Sequence, residues 1–163
     1  MTNFNELITT KKGDYGEQLV DEYLINCGYI IYKPISNNAH SFDRIISYKK
    51  ERLTIVEIKS KSKRKYFPDT GIDYKFYIEY INKSKELNIP VFLIFVDEES
   101  KKVYGNLLSV LCESQKFIIR NKTINYPLIE KDIIYFHMDN MKQLFEITEE
   151  QSKQLKQYTT KKY

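Results

Sequence analysis

Two opposite charges lie within an apolar stretch of this chain. Glu57 and Lys59 are two positions apart in the segment LTIVEIKS, and residues two apart on a β-strand point to the same face. A third charge, Asp43, lies in the preceding apolar run, SFDRII. Charged side chains are rarely buried among apolar neighbours unless an opposite charge compensates them. Carboxylates bind hard cations and an ammonium group attracts anions, so these three residues are the first candidates for chemistry.

The two apolar runs predict a β-hairpin, and its register decides whether the charges meet. Asp43 and Glu57 share a face only when the numbers of paired residues add up to an even number. A three-residue connection, 49–51, places Asp43 directly opposite Glu57. A two-residue connection would place Asp43 opposite Ile58 and turn its side chain to the other face.

A helix before the hairpin supplies a fourth candidate. Apolar residues recur at a period near 3.6 from Asp14 to Cys27, which predicts an amphipathic helix. Glu17 lies at the flank of its apolar face, from which it can reach the edge of the sheet that the helix covers. Gln18, Asp21 and Glu22 are predicted to point away. A first-turn glutamate favoured by the helix dipole is the alternative explanation of Glu17.

Two glycines beside Glu17 suggest how closely the helix approaches the sheet. Gly13 and Gly16 lie on or near the predicted packing face. Because glycine has no side chain, both positions are expected to permit close approach of the backbone.

Composition limits the class of protein. The chain has 163 residues, of which 42% are hydrophobic, and this is enough to predict a single domain, 1–163, with its own core. The longest apolar run, Val91–Val96, is far shorter than the roughly 20 residues of a membrane helix. The N-terminus has no signal-peptide core, and Cys27 and Cys112 lack CxxC spacing, so neither a disulfide framework nor a zinc site is expected. We therefore expect a cytoplasmic protein with no membrane partner.

The positive charges are clustered, although the net charge is only +4. Five of them lie close together after the acid–base pair begins. Lys59 supplies one, and the segment KSKRK at 61–65 supplies the other four, Lys61, Lys63, Arg64 and Lys65. Such a cluster is the usual electrostatic mark of a phosphate-rich partner, and a solvated loop is the alternative. Its position after the acid–base pair favours nucleic-acid binding, with these last four residues as the contacts.

The order of elements predicts an α/β fold. Periodicity, glycine and proline positions and capping signals predict a helix at 14–27, a strand in YIIYKPI, hairpin strands near 41–48 and 53–60, a loop through RKYFPDTG, a helix at 74–87 N-capped by Asp73, a buried strand in IPVFLIFVD, and a strand and short helix in KKVYGNLLSVL. Later, KFIIRNKTINY predicts a hairpin, DIIYFHM a strand or extended arm, and Thr148 with Gln151 a capping box before a final helix. This order indicates a mixed β-sheet flanked by helices.

Four of these segments together resemble a known family. KKGDYGEQLVDEYL, SFDRII, VEIKSKSK and IPVFLIFVD resemble, in order and spacing, the core of the PD-(D/E)xK nuclease superfamily, and most closely its Holliday-junction-resolvase-like branch. The resemblance covers roughly residues 11–108 of a motif-bearing core at about 11–112, and 113–163 form a C-terminal extension. It implies a restriction-endonuclease-like fold. Phe42 stands where the motif has its proline, a position that often varies.

The resemblance also implies a role for each candidate. Glu17 matches the helix glutamate of that branch, Asp43 the metal-binding aspartate, Glu57 the E of ExK and Lys59 its lysine. Mg²⁺, with Mn²⁺ as a substitute, would be held by Asp43, Glu57 and the backbone carbonyl of Ile58. Lys59 would hold or deprotonate the attacking water and offset the phosphate charge, and Glu17 would orient a water or help to hold a second ion.

The implied activity is that of a Mg²⁺-dependent endonuclease that hydrolyses DNA phosphodiester bonds, with RNA not excluded. Structure-selective cutting of branched or junction DNA is favoured over sequence-specific restriction, because no target-recognition domain is evident in the sequence. A homodimer fits, since resolving a junction requires two coordinated cuts. The alternative is a catalytically inactive nucleic-acid-binding or protein-interaction module on the same fold, and the intact set of three acids and a lysine argues against it.

Overall fold

Residues 8–35, 42–49 and 52–159 are described by a computed structural model of the chain. The helices are α1 (Ile8–Asn26), α2 (Tyr74–Leu87), α3 (Leu108–Leu111) and α4 (Glu149–Gln157). The strands are β1 (Tyr29–Tyr32), β2 (Arg44–Tyr48), β3 (Arg52–Ser60), β4 (Asp69–Asp73), β5 (Val91–Asp97), β6 (Lys102–Leu107), β7 (Gln115–Ile119), β8 (Lys122–Tyr126), β9 (Leu128–Glu130), β10 (Ile133–His137) and β11 (Lys142–Glu146).

Six of these strands form a central sheet in the order β1-β2-β3-β5-β6-β11. The β3–β5 pair is parallel, and every other pair in this sheet is antiparallel. A parallel pair needs a crossover connection, and here the crossover contains β4 and α2. The sheet is therefore mixed, as predicted.

Strand β3 contacts helices on both faces of the sheet because its side chains alternate. Val56 and Ile58 belong to the apolar cluster formed with the buried residues of α1. Ile55 belongs instead to the cluster that contains Tyr80 of α2. Glu57 follows Ile55 by two positions and therefore points to the α2 face. The predicted α/β class, a mixed sheet flanked by helices, is confirmed.

The part of the chain after α3 forms one smaller sheet, adds two strands to β4 in another, and then returns to the central sheet. β4, β10 and β9 form a three-stranded sheet, and β7 and β8 form a two-stranded one. The predicted hairpin and strand in this region are thus confirmed as β7–β8 and β10. β11 pairs with β6 at the edge of the central sheet. The capping box at Thr148 and Gln151 is also confirmed at the start of α4.

The predicted loop through RKYFPDTG is wrong in its second half, which begins strand β4. Polar residues and a glycine masked the strand, but every residue from Asp69 to Ile72 is buried. Asp69 tolerates burial because Arg64 and Tyr126 donate hydrogen bonds to its carboxylate. A Cβ at Gly71 would lie 2.4 Å from the carbonyl oxygen of Ile134, so the close pairing of β4 with β10 requires glycine there.

Several element ends differ from the predictions. α1 begins at Ile8, six residues before the predicted start, and β2 begins at Arg44. α2 has the predicted bounds, but the side chain of Asp73 makes no capping hydrogen bond. Within the described ranges, no helix is long and apolar enough to cross a membrane.

Candidate active site

The β2–β3 hairpin has the register that brings two of the predicted acids together. Tyr48 pairs with Arg52, so residues 49–51 connect the strands, and of the two connections considered this is the one that lets Asp43 and Glu57 share a face. The same register places Asp43, one residue before β2, opposite Glu57. Both carboxylates therefore lie at the end of β3 that is remote from the hairpin turn.

The Glu57 carboxylate is buried on the α2 face, with 4% exposure of the residue. Its Oε1 accepts hydrogen bonds from Lys59 Nζ at 2.6 Å and from the hydroxyl of Tyr80. Its Oε2 is also buried and has no hydrogen-bond partner in the described part of the chain. A buried carboxylate oxygen without a partner is costly, so this atom is positioned for a cation or a donor that the chain itself does not supply.

Asp43 approaches the same strand from the end of β2. Its Oδ2 accepts a hydrogen bond from the Ile58 backbone N–H at 2.7 Å. Because β2 begins only at Arg44, the Asp43 side chain takes the place of a strand partner for Ile58. The N–H and C=O of one strand residue point to the same neighbouring strand, so the Ile58 carbonyl is directed to the side on which Asp43 lies.

Arg44 ties helix α1 to the hairpin. Its guanidinium donates to both carboxylate oxygens of Asp21 at 2.9 and 3.1 Å and to Glu17 Oε2 at 2.8 Å. Glu17 thus reaches the sheet edge, as predicted. The prediction that Asp21 points away is wrong, because Asp21 is buried beside Arg44, which is only 6% exposed. A buried guanidinium requires such a carboxylate partner.

A glycine allows α1 to approach the end of β3. A Cβ on Gly16 would lie 1.8 Å from Ser60 Oγ and 3.2 Å from Ser60 Cβ, so a larger residue would require the Ser60 side chain to rotate or the helix to shift. A Cβ on Gly13 would meet no atom within 4 Å. The predicted close approach is therefore confirmed at Gly16 and wrong at Gly13. The contact at Gly16 holds the neighbouring Glu17 beside the strand end.

One cleft of about 550 Å³ unites most of these groups. Glu17, Asp43, Ile58 and Lys59 line it, and Glu57 contacts Lys59 directly. Other parts of its wall come from α1, the segment after β3 and the end of α4, and include Thr9, Lys12, Lys61 and Thr159. Among the described residues, no three His, Cys, Asp or Glu side chains are grouped as ligands of one metal ion.

The predicted nucleic-acid contacts after β3 have different environments. Lys61 lines the cleft. Arg64 forms a two-bond fork with Asp69 at 2.6 Å and a third bond to Glu130 at 2.8 Å, and this network holds the pKa of Arg64 above its usual value. Lys63 and Lys65 are exposed, and neither forms an ion pair in the described ranges.

The three acids share one electrostatic property. Burial raises the pKa of Glu57, and the nearby Asp43 raises it further, against the opposing charge of Lys59. Burial also raises the pKa of Asp43, although a backbone N–H and Lys59 oppose the shift. Burial and Asp43 raise the pKa of Glu17. Crowded, partly buried carboxyls with raised pKa values are typical of sites that bind cations or transfer protons.

The arrangement of helices and strands is similar to that of a solved structure. A Holliday junction resolvase from the archaeal hyperthermophile Archaeoglobus fulgidus has a TM-score of 0.54 with this chain, with 7% sequence identity, covering 78% of this chain and 90% of the resolvase. This chain has the fold of that resolvase. The bacterial homing endonuclease I-Ssp6803I has a TM-score of 0.45 and 21% identity, covering 76% of this chain and 77% of the endonuclease. No protein-family model and no curated protein matches the sequence.

Two residues of this resolvase-like fold escaped the sequence reasoning. The helical pattern of α2 indicates only that Tyr80 faces the core, whereas its hydroxyl donates a hydrogen bond to Glu57. The pattern of a helix does not indicate which strand residue a tyrosine on its core face will meet. Arg44 follows Asp43 directly and lies within the apolar run SFDRII. A charged residue in such a run was the signal in the sequence that Arg44 belongs to the site. The same argument that singled out Glu57 and Lys59 applies to it.

The raised pKa of Asp43 predicts how the metal-free fold responds to pH. The folded state retains this proton to higher pH than the unfolded chain, so the stabilisation is complete below the unfolded pKa of about 3.9 and is lost as pH rises through the folded pKa. Each pKa unit of difference between the folded and unfolded states lowers the free energy of unfolding by about 1.4 kcal/mol at neutral pH. For a chain of this size, each kcal/mol corresponds to about 2–4 °C in Tm. Asp43→Asn keeps an acceptor for the Ile58 N–H and removes the charge. With EDTA present, it should raise the Tm at pH 7–8 and lose this advantage towards pH 4.

Thermal melts from pH 4 to pH 8 would measure this effect. Asp73→Asn is the control, because Asp73 is exposed and its side chain makes no capping hydrogen bond. A lower Tm for Asp43→Asn than for the wild type at pH 8 would contradict the prediction.

Proposed function

We propose that the chain is a metal-dependent endonuclease that hydrolyses DNA phosphodiester bonds, with branched or junction DNA as its substrate. The observation that carries the proposal is the convergence of three acids and a lysine at the end of β3. Glu17, Asp43 and Lys59 line one cleft, and Glu57 is bonded to Lys59. Carboxylates beside an ammonium group suit the hydrolysis of a phosphodiester, which requires an activated water and stabilisation of negative charge.

A magnesium ion fits the donor atoms of this site. Mg²⁺ prefers oxygen ligands, commonly one or two carboxylates together with waters, and Asp43, Glu57 and the Ile58 carbonyl would hold it. Support comes from Glu57 Oε2, which is buried and accepts no hydrogen bond from any described residue. The ion would offset charge on the phosphate oxygens and make a coordinated water more acidic. Mn²⁺ should substitute, since carboxylate and water ligands suit both ions.

Lys59 is placed between the buried acid and the open cleft. Its ammonium group donates to Glu57 Oε1 and lies 5.5 Å from the centre of the Phe76 ring. Its side chain keeps 34% of its exposure, so it can turn from the carboxylate towards an incoming phosphate. There it would stabilise the negative charge that develops on the phosphate oxygens and hold the attacking water.

Glu17 and Tyr80 orient the site from opposite faces of the sheet. Arg44 fixes Glu17 through a hydrogen bond to Oε2, and the raised pKa of Glu17 suits a group that orients the attacking water and accepts its proton. On the α2 face, Tyr80 donates to Oε1 of Glu57 and thereby directs Oε2 of that acid away from the helix. Tyr80 thus acts as a positioning residue.

Branched DNA is the proposed substrate because the fold is similar to that of a Holliday junction resolvase. Two strands of a junction must be cut, and the described residues supply one set of candidate catalytic residues, so we propose a homodimer on the DNA. Lys61, Lys63 and Lys65 extend the positive charge from the cleft along the segment after β3. A positive surface beside the reactive groups would hold the phosphate backbone by releasing counterions.

A nucleic-acid-binding module without catalysis is the second candidate. The observation that favours it is that each acid already has a partner within the protein: Arg44 for Glu17, the Ile58 N–H for Asp43, and Lys59 with Tyr80 for Glu57. Such a module would bind DNA and leave four-way junctions, flaps, duplexes and single strands uncut with either Mg²⁺ or Mn²⁺.

Isosteric variants of the acids test the nuclease proposal. Asp43→Asn and Glu57→Gln keep the shape of the side chains and remove the charges that would hold the ion, so each should lower the Mg²⁺-dependent cleavage rate of a labelled four-way junction by about a hundredfold or more. Lys59→Ala should have a similar effect. Tyr80→Phe should lower the rate by about tenfold, as loss of a supporting hydrogen bond commonly does. Single-turnover cleavage gives the rates, and fluorescence anisotropy gives the affinities, which should stay within about twofold of the wild-type values.

Lys142→Ala, on the exposed edge strand β11, is the matched control for Lys59→Ala and should leave the rate unchanged. Full cleavage by Asp43→Asn would end the nuclease proposal.

The environments of the basic residues predict two separable effects. Lys63→Ala/Lys65→Ala should weaken DNA binding and lower the slope of log affinity against log salt by about 1.8, because each lost phosphate contact removes about 0.9. Arg64→Ala should instead destabilise the fold by about 3–5 kcal/mol, since it leaves the buried Asp69 carboxylate without its cation. Salt titrations of DNA binding and urea unfolding measure the two effects.

The double variant Lys85→Ala/Lys142→Ala removes the same charge elsewhere and is the control. Lys85 lies in the last turn of α2, at the opposite end of the sheet from the cleft. If both double variants changed the salt slope equally, the effect would be one of net charge and the assigned contacts would be wrong.

A further inference from the structure

The β7–β8 hairpin is a two-stranded ribbon that pairs with no other strand in the described ranges. Its turn consists of Arg120 and Asn121, both with positive φ values of 50° and 61°. Its inner face is fixed to the body of the protein, because Phe117 stacks on His137 and Tyr126 is buried. The ribbon is therefore packed against the body of the protein through one face only.

The outer face of this ribbon is exposed and chemically mixed. Lys116 pairs with Asn125 across the strands, and Ile118 pairs with Thr123. Cross-strand partners share a face, and all four residues are exposed. Ile118 is 81% exposed, a costly position for an isoleucine on a surface that has no partner. Amide, ammonium and methyl groups are those that contact base edges in the major groove.

Positive charge surrounds this face and continues towards the cleft. The guanidinium of Arg120 lies 5.1 Å from the centre of the Tyr66 ring, which joins the hairpin turn to the segment after β3. Lys63, Lys65, Lys116 and Lys122 are exposed, and no ion pair within the described ranges neutralises them or Arg120. An uncompensated positive surface of this kind is complementary to a polyanion.

The length of the connecting segment limits the distance between the hairpin turn and the candidate active site. Tyr66, which Arg120 contacts, follows Lys59 by seven positions, so these two residues are at most about 25 Å apart. One turn of B-form DNA is about 34 Å long. One duplex arm can therefore contact the cleft and the hairpin within a single turn.

We propose that the β7–β8 hairpin enters the major groove of the duplex arm whose backbone lies across the cleft. A two-stranded ribbon fits the major groove, about 12 Å wide, and does not fit the minor groove, about 6 Å wide. Lys116 and Asn125 contact base edges, Ile118 and Thr123 contact thymine methyl groups, and Arg120 and Lys122 hold the flanking phosphates. This inference rests on the proposed function, since it places the hairpin on the same DNA that the cleft would cut.

Arg120→Gly separates a binding role from a structural one. Glycine suits the positive φ of this turn position, so the variant should keep or raise the Tm. It should weaken binding to a 25-base-pair duplex by about threefold to tenfold, and the salt slope should fall by about 0.9. The matched control is Lys131→Gly, because Lys131 occupies the same first position of the two-residue β9–β10 turn with φ of 47°. The control should leave affinity and salt slope unchanged.

A footprint tests the groove assignment. In Ca²⁺ buffer, which is chosen to permit binding without cleavage, the wild type should protect guanine N7 atoms from dimethyl sulfate on the bound arm, since N7 lies in the major groove. Lys116→Ala/Asn125→Ala should lose that protection. Ile118→Thr, which keeps a β-branched side chain on the strand, should weaken duplex binding without changing the salt slope.

Several outcomes would overturn the inference. If Arg120→Gly and Lys116→Ala/Asn125→Ala kept the wild-type affinity and footprint, the hairpin would lie away from DNA. The same conclusion would follow if Lys131→Gly weakened binding as much as Arg120→Gly does. Equal losses on single-stranded DNA would assign the surface to unpaired strands, and undiminished duplex binding with loss of dimerisation would assign it to a second copy of the chain. Cleavage assays on the same variants keep the two proposals distinct. If the hairpin variants kept the wild-type footprint and cleavage still required Asp43, the hairpin inference would be wrong and the nuclease proposal would stand.

Discussion

The carboxylate of Glu57 is held in the interior of a sheet, and the arrangement of the site follows from that constraint. An ionised group is costly there unless charges and donors surround it. Lys59 and Tyr80 supply one oxygen with partners, whereas the other oxygen is buried and has no partner among the described residues. Asp43 makes the burial more costly, since it raises the pKa of Glu57. The protein therefore tolerates a cluster of acids that lowers its stability at the end of β3. Sites that bind a ligand commonly reduce the stability of the fold in this way.

The geometry of the hairpin explains how groups from two faces of the sheet reach one place. β3 extends beyond β2, and Asp43 fills the gap with its side chain against the Ile58 N–H. At this open end the faces are no longer separated by a neighbouring strand. Glu17 can therefore approach from the α1 face, where Gly16 permits close contact and Arg44 fixes its direction, while Lys59 approaches from the α2 face.

The sequence predicted those parts of the fold and site that depend on local patterns. Alternation showed which hairpin register the shared face of Asp43 and Glu57 requires, and the β2–β3 hairpin has that register. The capping box predicted the start of α4. Strand β4 could not be recognised, because its DTG sequence is polar and its burial depends on Arg64 and on distant Tyr126. The partners of Asp21 and of Glu57 were missed for the same reason: a helix pattern identifies the face of a residue such as Tyr80 but not the side chain that it meets across the sheet.

The central claim is that the acids at the end of β3 form one site for a divalent cation. Electron paramagnetic resonance of Mn²⁺ measures that binding directly, without DNA and without catalysis. The account predicts that the wild type binds Mn²⁺, that Asp43→Asn and Glu57→Gln each weaken the affinity by about tenfold or more, and that Asp73→Asn binds as the wild type does. Wild-type affinity in both Asp43→Asn and Glu57→Gln would contradict it.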